Sequence, residues 1–447
     1  MRASNLFFEK EPVGSALLAS FNPDSLRKIG LLKTVYSFSH YHDEPKTHKY
    51  KAVINSVAGR SAGIDYPTSA SGYSFFSKRK ALLKCLGEAT ERYCIKVYKN
   101  DYLTYASYDQ LRRAMDPKSA VSFSSRQKKN HDFRIFNFDD NTVFGWTKGY
   151  SLTANHALFV PAQLAFLSYR HRSGEKMIRF PLSSGSAGGG CMAAAISRGI
   201  YELVERDGFV IHYLNKLSYQ KIDLYSIGDE KLKYILGYLK RYLLEIHTVD
   251  ITTDLYIPTF ATIVVDKTGV GPAVSVGLKS RLNFIEGIIG SIEESLNARE
   301  WIRSEYENNQ QDISKINSSN MKNLTERGLY WYPKHRLKEL KFFLNQKPTT
   351  ANYESLKLSA GSELKLLLSL FKKKKYEIAY VDLTLPELKK INYHVAMVII
   401  PQLQPLFLKE KYPYLGGDRL YSVPKTMGLK QQFTNEQSLN RVPHPFL

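Results

Sequence analysis

Two short acidic patterns hold the residues best placed to do chemistry. Glu88-Ala-Thr-Glu91-Arg92 and Glu202-Leu-Val-Glu205-Arg206 share the spacing E-x-x-E-R. At 3.6 residues per helical turn, positions i, i+3 and i+4 lie on one face, so each copy presents two carboxylates and a guanidinium together. Carboxylates so spaced repel one another unless a cation lies between them. Magnesium takes one or two carboxylates per ion and completes its octahedron with water and phosphate oxygens. The planar guanidinium fork matches phosphate. One such motif alone reads better as an exposed helix with a Glu–Arg pair worth ~0.3–0.5 kcal/mol. The second copy shifts the reading toward a magnesium–nucleotide site.

The elements that must position these groups are legible in outline. Apolar periodicity predicts helices over 78–98, 193–215 and 281–305, and strands over 158–166, 251–265, 376–383 and 395–400, giving a mixed α/β chain. Small residues at 183–190 (S-S-G-S-A-G-G-G) precede the second acidic helix. A flexible loop there would aim backbone N–H groups at an anion, although no Walker A lysine follows it. The stretches 117–132 and 308–327 read as linkers or long surface loops. Trp301, Tyr330, Trp331 and Tyr332 read as aromatic core or a peptide-contact patch.

Composition narrows the class. The 447 residues are 43% hydrophobic, which excludes disorder as the main state. No apolar run approaches the ~20 residues that span a bilayer, and the first 21 residues have no continuous signal-peptide core, so a cytoplasmic protein with no membrane role is expected. Cys85, Cys94 and Cys191 form no C-x-x-C pair, so neither a disulfide framework nor a zinc site is implied. Lys and Arg number 63 against 42 Asp and Glu, a net charge of +21. The basic runs at 77–80 and 372–375 lack any accompanying helix-turn-helix, RNP or zinc-finger pattern, so no specific nucleic-acid binding is expected. What remains is a field that attracts anions such as ATP or an acidic peptide.

Order and spacing of motifs then resemble one family. The string L-G-E-A-T-E-R-Y at 86–93, S-G-S-A-G-G-G…E-L-V-E-R-D at 184–207, W-T-K-G-Y-S-L…V-P-A at 146–162, the Gly277 segment leading to Glu294…Arg299, G-G-D-R-L at 416–420 and V-P-H-P-F-L at 442–447 together resemble the YcaO family of ATP-dependent peptide-modifying enzymes. The resemblance covers roughly 50–447, with 1–49 as an N-terminal extension packed on that domain. It implies an α/β YcaO-type fold with two related halves, each contributing a carboxylate-bearing helix to an ATP/Mg2+ site.

What the family resemblance implies for chemistry is activation of a backbone amide in a ribosomal precursor peptide. A Cys, Ser or Thr side chain adds to the preceding carbonyl, the resulting oxygen is phosphorylated, and phosphate leaves to give a thiazoline or oxazoline. By resemblance Glu88, Glu91, Glu202 and Glu205 are the magnesium carboxylates, and Lys84, Arg92, Arg206, Glu294, Asn297 and Arg299 bind cofactor. The tail residues Pro443, His444, Pro445 and Leu447 enter the catalytic site, either as a base or as a shaped arm. Prolines make that arm stiff, so it is expected to project. An E1-like leader-binding partner and a flavin-dependent dehydrogenase in the same complex are also implied. Related readings are a thioamide- or amidine-forming member, or a catalytically weakened subunit. The chain departs from the family pattern at Lys84, Ala194, Asn297 and Leu447, and Ser71-Gly72 stands where the family writes G-K-G.

Overall fold

A computed structural model describes residue 6 and residues 15–38, 41–56, 68–98, 100–217, 220–309, 313–318, 321–350, 356–429 and 435–447. Strands in chain order are β1 (Leu32–Ser37), β2 (His48–Ile54), β3 (Ser69–Ser74), β4 (Thr104–Ser107), β5 (Val143–Ser151), β6 (His156–Pro161), β7 (Ser186–Gly189), β8 (Gln220–Ile222), β9 (Leu244–Asp250), β10 (Thr259–Asp266), β11 (Val274–Ser280), β12 (Pro348–Thr349), β13 (Ala379–Asp382) and β14 (His394–Ile399). The helices that bear on the site are α1 (Lys78–Cys94), α2 (Met192–Asn215), α3 (Glu230–Lys240), α4 (Phe284–Asn309) and α5 (Leu324–Tyr330).

Two compact units divide the chain: Met1–Ser39, His48–Leu203 and Leu358–Leu403 form the first; His40–Thr47, Val204–Lys357 and Gln404–Leu447 form the second. The division falls inside α2, so Glu202 belongs to the first unit and Glu205 and Arg206 to the second.

The first unit holds an antiparallel sheet β1-β2-β3 and a larger sheet ordered β4-β5-β13-β14-β7, with β6 on β5. Part of the segment 1–49 therefore supplies a strand: β1 pairs with β2 from Leu32↔Ile54 to Ser37↔Tyr50. Ser77 caps α1 by accepting from Lys80 N at 3.2 Å, and Ala81, Cys85, Leu86 and Ala89 turn its apolar face into the core. The core gathers Cys85, Leu86 and Ala89 with Trp146, Val160, Val381, Val395 and Met397. The second unit holds the sheet β11-β10-β9-β8-β12. Strand β10 is buried at every position, and Ile288, Ile292 and Leu296 of α4 are buried.

An antiparallel hairpin followed by a long helix is present in each unit: β2-β3-α1 in the first, β10-β11-α4 in the second. In both, a glycine of the second strand lies directly against the helix backbone. A Cβ on Gly72 would meet Ala81 O at 2.0 Å and Cys85 N at 2.3 Å; on Gly277 it would meet Ser291 O at 2.2 Å and Ser295 N at 2.3 Å. The repeated unit is thus hairpin plus helix, and the counterpart of α1 is α4 rather than the second E-x-x-E-R helix, which follows the single strand β7.

Several boundaries differ from the sequence expectation. The predicted strand 251–265 begins only at Thr259, because Asp250 Oδ1 accepts from Thr252 N (2.8 Å) and Thr252 Oγ1 from Thr259 N (3.1 Å), closing a side-chain-held turn. The predicted strand 158–166 ends at Pro161 and becomes a short helix, Ala162–Ala165. The 117–132 loop is folded into 3-10 turns, and Phe123 joins Phe133 and Phe136 just beyond it in a buried cluster. Of the predicted 308–327 linker, 310–312 and 319–320 lie outside the described residues, and its end forms part of α5. Tyr330, Trp331 and Tyr332 are buried core, whereas Trp301 is 36% exposed. All three cysteines are buried and unbridged.

The glycine seats give a stability test. Gly277→Ala should cost about 1–3 kcal/mol or more, since both atoms it meets are backbone and cannot rotate away. Gly237, inside α3 with nothing within 4 Å of its would-be Cβ, should instead gain about 0.5–1 kcal/mol as Ala. Urea unfolding midpoints of the two variants should move in opposite directions.

Candidate active site

In the first unit the acidic side chains close on strand edges. Among the described residues, strands β3 and β7 are terminal in their sheets, so each has one row of N–H groups with no strand beside it. Glu88 Oε2 accepts from Ser71 N (3.4 Å) and Glu91 Oε1 from Gly188 N (2.7 Å). At the turn into β7, Glu202 Oε2 accepts from Gly185 N (3.0 Å). Each carboxylate accepts a backbone N–H through one oxygen, which fixes the plane of the group. The arginines do related work. Arg92 donates to Ser69 O and pairs with Glu88 Oε1 at 2.5 Å, while Arg198 donates to Gly188 O at 2.7 Å.

This arrangement corrects the reading of 183–190 as a flexible anion-binding loop. Ser186–Gly189 is a buried strand paired with β14 from Ser186↔Met397 to Gly189↔His394, and the Gly185 and Gly188 amides already serve carboxylates. Its small residues are needed for close approach. A Cβ on Gly188 would fall 2.4 Å from the Tyr393 hydroxyl, and one on Gly185, at φ +94°, 2.3 Å from Val398 O.

Crowding shows in the electrostatics. Although part of Glu91 reaches solvent, its carboxyl is enclosed by protein; desolvation, together with the charges of Glu88 and Glu202, pushes it up to about 7 against the pull of the Gly188 N–H and Arg198. The second unit repeats the pattern at the β11 edge. Glu294 Oε2 accepts from Leu278 N (2.8 Å) and Glu205 Oε1 from Ser280 N (2.9 Å). Burial and Glu205 raise the Glu294 carboxyl, opposed by Lys279 and Arg206. Lys279 lies 3.5 Å from Glu205 Oε1, its stem packed over Gly290, and Arg206 Nη1 is 3.7 Å from Glu205 Oε2.

The tail does not project. Pro443, His444, Pro445 and Phe446 are buried, and Leu447 partly so. Tyr213 Oη donates to Pro443 O (3.0 Å), and His444 Nε2 lies 2.9 Å from Phe407 O, which requires that nitrogen to carry the proton. Burial holds the imidazole well below its ordinary pKa of 6.5, so it stays neutral. The Tyr213 contact seats the tail on the part of α2 that follows the acidic motif, an apolar face that the expectation of a projecting arm overlooked.

Other expected site residues separate into roles. Arg299 is buried, with Nε on Glu44 (2.9 Å), Nη2 on Asp266 (2.7 Å) and Nη1 on Pro272 O (2.8 Å), so its donors hold the second unit together. Asn297 is partly buried on α4, one turn after Glu294, and Lys84 is exposed on α1. Ala194 is buried. Asp207, the last residue of E-L-V-E-R-D, is locked bidentately by Arg419 of G-G-D-R-L at 2.8 and 2.6 Å. Lys279 and Arg198 escaped sequence reading. The available signals were the two-residue strand step from Gly277 to Lys279 and the i, i+4 step from Arg198 to Glu202.

Among the described residues no three His, Cys, Asp or Glu side chains are arranged to hold a metal unaided. Magnesium does not require that, and in each unit carboxylates beside basic side chains are a donor set that a hydrated, phosphate-bound divalent ion fits. Residues 74–404 match the family model described as YcaO cyclodehydratase, ATP- and Mg2+-binding. The chain belongs to the YcaO family.

Within the YcaO fold, it is similar to a heterocyclase solved in complex with substrate and cofactor: TM-score 0.77 and 20% identity, covering 97% of this chain and 60% of that one. It is also similar to YcaO from Methanopyrus kandleri bound with AMPPCP and Mg2+: TM-score 0.57 and 15% identity, covering 85% and 88%. An uncharacterized protein in the tfuA 3' region of Rhizobium leguminosarum bv. trifolii is 32% identical over 123 residues, 27% of this chain and 29% of that protein. The chain therefore spans less than two thirds of the length of that heterocyclase and of the Rhizobium relative. No helix among the described residues is long and apolar enough to cross a membrane.

The raised Glu91 carboxyl has a thermodynamic signature. In the unfolded chain it ionises near 4.5, in the folded chain near 7, so metal-free protein loses stability as pH rises through that window. Glu91→Gln keeps an oxygen for the Gly188 N–H and removes the titration. The variant should match the parent near about pH 5 and exceed it near about pH 8, by on the order of 3 kcal/mol at most. Denaturant titrations in chelator at both pH values check the divergence.

Proposed function

We propose that this chain is an ATP-dependent cyclodehydratase acting on backbone amides of a ribosomal precursor peptide, forming thiazoline or oxazoline from Cys, Ser or Thr. The observation that supports it most is the set of glutamates pinned by strand-edge amides, with the Glu91 carboxyl raised by its acidic neighbours, in a member of the YcaO family. Glu88, Glu91, Glu202, Glu205 and Glu294 are assigned to magnesium. Arg92, Arg206, Lys279 and Lys84 meet phosphate charge. ATP with magnesium supplies the phosphoryl group that turns the amide oxygen into a leaving group.

The chain's own contribution is positioning and charge. Backbone N–H groups hold each carboxylate in place before any ligand arrives, so little reorganisation is needed when positive charge enters. Arg198, anchored on Gly188 O, limits repulsion among the first-unit carboxylates. The tail is assigned to site shape rather than proton transfer, because His444 is buried and its protonated nitrogen faces a carbonyl. An E1-like leader-binding partner delivers the peptide in this reading, and a flavin-dependent dehydrogenase acts afterwards on the azoline.

With partner and precursor peptide, ATP-dependent loss of one water mass per ring is the expected product signature. Glu88→Gln and Glu202→Gln should each reduce that activity beyond the ~10–100-fold that loss of an outer-shell partner costs, with circular dichroism unchanged. Turnover retained in the double variant would remove these helices from the mechanism. Lys84→Ala should raise the apparent KM for ATP and leave that for peptide unchanged, as steady-state kinetics with each substrate varied will show.

A further inference from the structure

The tail meets the site at one charged side chain. On α2, Arg206, Phe209 and Tyr213 fall at i, i+3 and i+7, one helical stripe, and the tail lies on that stripe. Tyr213 holds Pro443 O, and His444 is edge-on to Phe209 (centroids 5.7 Å, 90°) and to Phe407 (4.8 Å, 79°). Phe446 packs on Phe209 at 5.7 Å and is 2% exposed. Its ring sits under the Arg206 guanidinium, 4.3 Å from ring centroid to the central carbon.

We propose that Phe446 is a positioning residue for Arg206, its ring face fixing the plane of the guanidinium so that the arginine's edge is presented to nucleotide phosphate. This rests on the assignment of Arg206 above. The physical basis is that a guanidinium over an aromatic face slides within its plane but resists tilting out of it, and that the attraction strengthens when both partners are desolvated. Arg206 is 11% exposed as a side chain, so the pair is largely shielded from water. Phe446 is itself placed by contacts that do not involve Arg206. Prolines at 443 and 445 restrict the tail backbone, Tyr213 and Phe407 fix it at two points, and Phe209 backs the ring.

The test uses the full chain and Mg2+ with the non-hydrolysable analogue AMPPNP, read by calorimetry, beside peptide-modification kinetics. Phe446→Leu keeps apolar bulk and removes the ring face; it should weaken analogue binding by about five- to thirty-fold, the range a desolvated cation–π contact spans. Phe446→Tyr should keep parental binding, which a role in packing alone does not require. Arg206→Gln should weaken binding at least as much as Phe446→Leu, and adding Phe446→Leu to it should cost nothing further. Should Phe446→Leu fail to fold, Phe446→Met is read in the same way. Normal binding by the ring-less variant, or additive losses in the double variant, overturns the proposal while leaving the Arg206 assignment standing. Normal binding by Arg206→Gln overturns that assignment itself.

Discussion

Open strand edges are the constraint on which this structure depends. A terminal strand leaves a row of backbone N–H groups without partners, and each must be satisfied or exposed. Here β3, β7 with the turn leading into it, and β11 give theirs to glutamates on α1, α2 and α4. The same contacts that finish the sheets aim the carboxylates, so the acidic residues are simultaneously part of the fold and part of the candidate site. Raised carboxyls at Glu91 and Glu294 are the cost of that double use.

Motif membership accordingly mixes two kinds of work. Within E-L-V-E-R-D, Glu202 and Glu205 face strand amides, whereas Asp207 is spent on Arg419, which also holds Asp254 at 2.9 Å. Along α4, Glu294 accepts from β11, but Arg299 is consumed by Glu44 and Asp266. Breaking one partner of such buried pairs leaves an uncompensated charge, which is why they define the second unit more than they advertise chemistry.

Helical periodicity made α1, α2 and α4 legible to within a few residues, and the acidic spacing was visible without coordinates. Strand β7 was not, because Ser, Ala and Gly have little strand preference and its partner β14 lies far along the chain. Lys279 and Arg198 are single basic residues whose meaning comes from carboxylates that local pattern does not connect to them. The tail was legible as stiff, from its prolines, but its docking on Phe209 and Tyr213 depended on a long-range contact.

The second unit is stitched from three separate stretches of chain. Arg299 grips a glutamate 255 positions earlier, and Arg419 an aspartate 212 positions earlier. During synthesis, therefore, neither unit closes when its first strands emerge: the first waits for β13 and β14, the second for the stretch beyond Gln404. Long loops must close before such distant contacts reward them, an arrangement that slows folding. The edge contacts themselves do not wait: Glu88, Glu202 and Glu294 lie only 17, 17 and 16 positions after the amides they accept from, so the nascent sheets can cover those edges before the distant strands arrive.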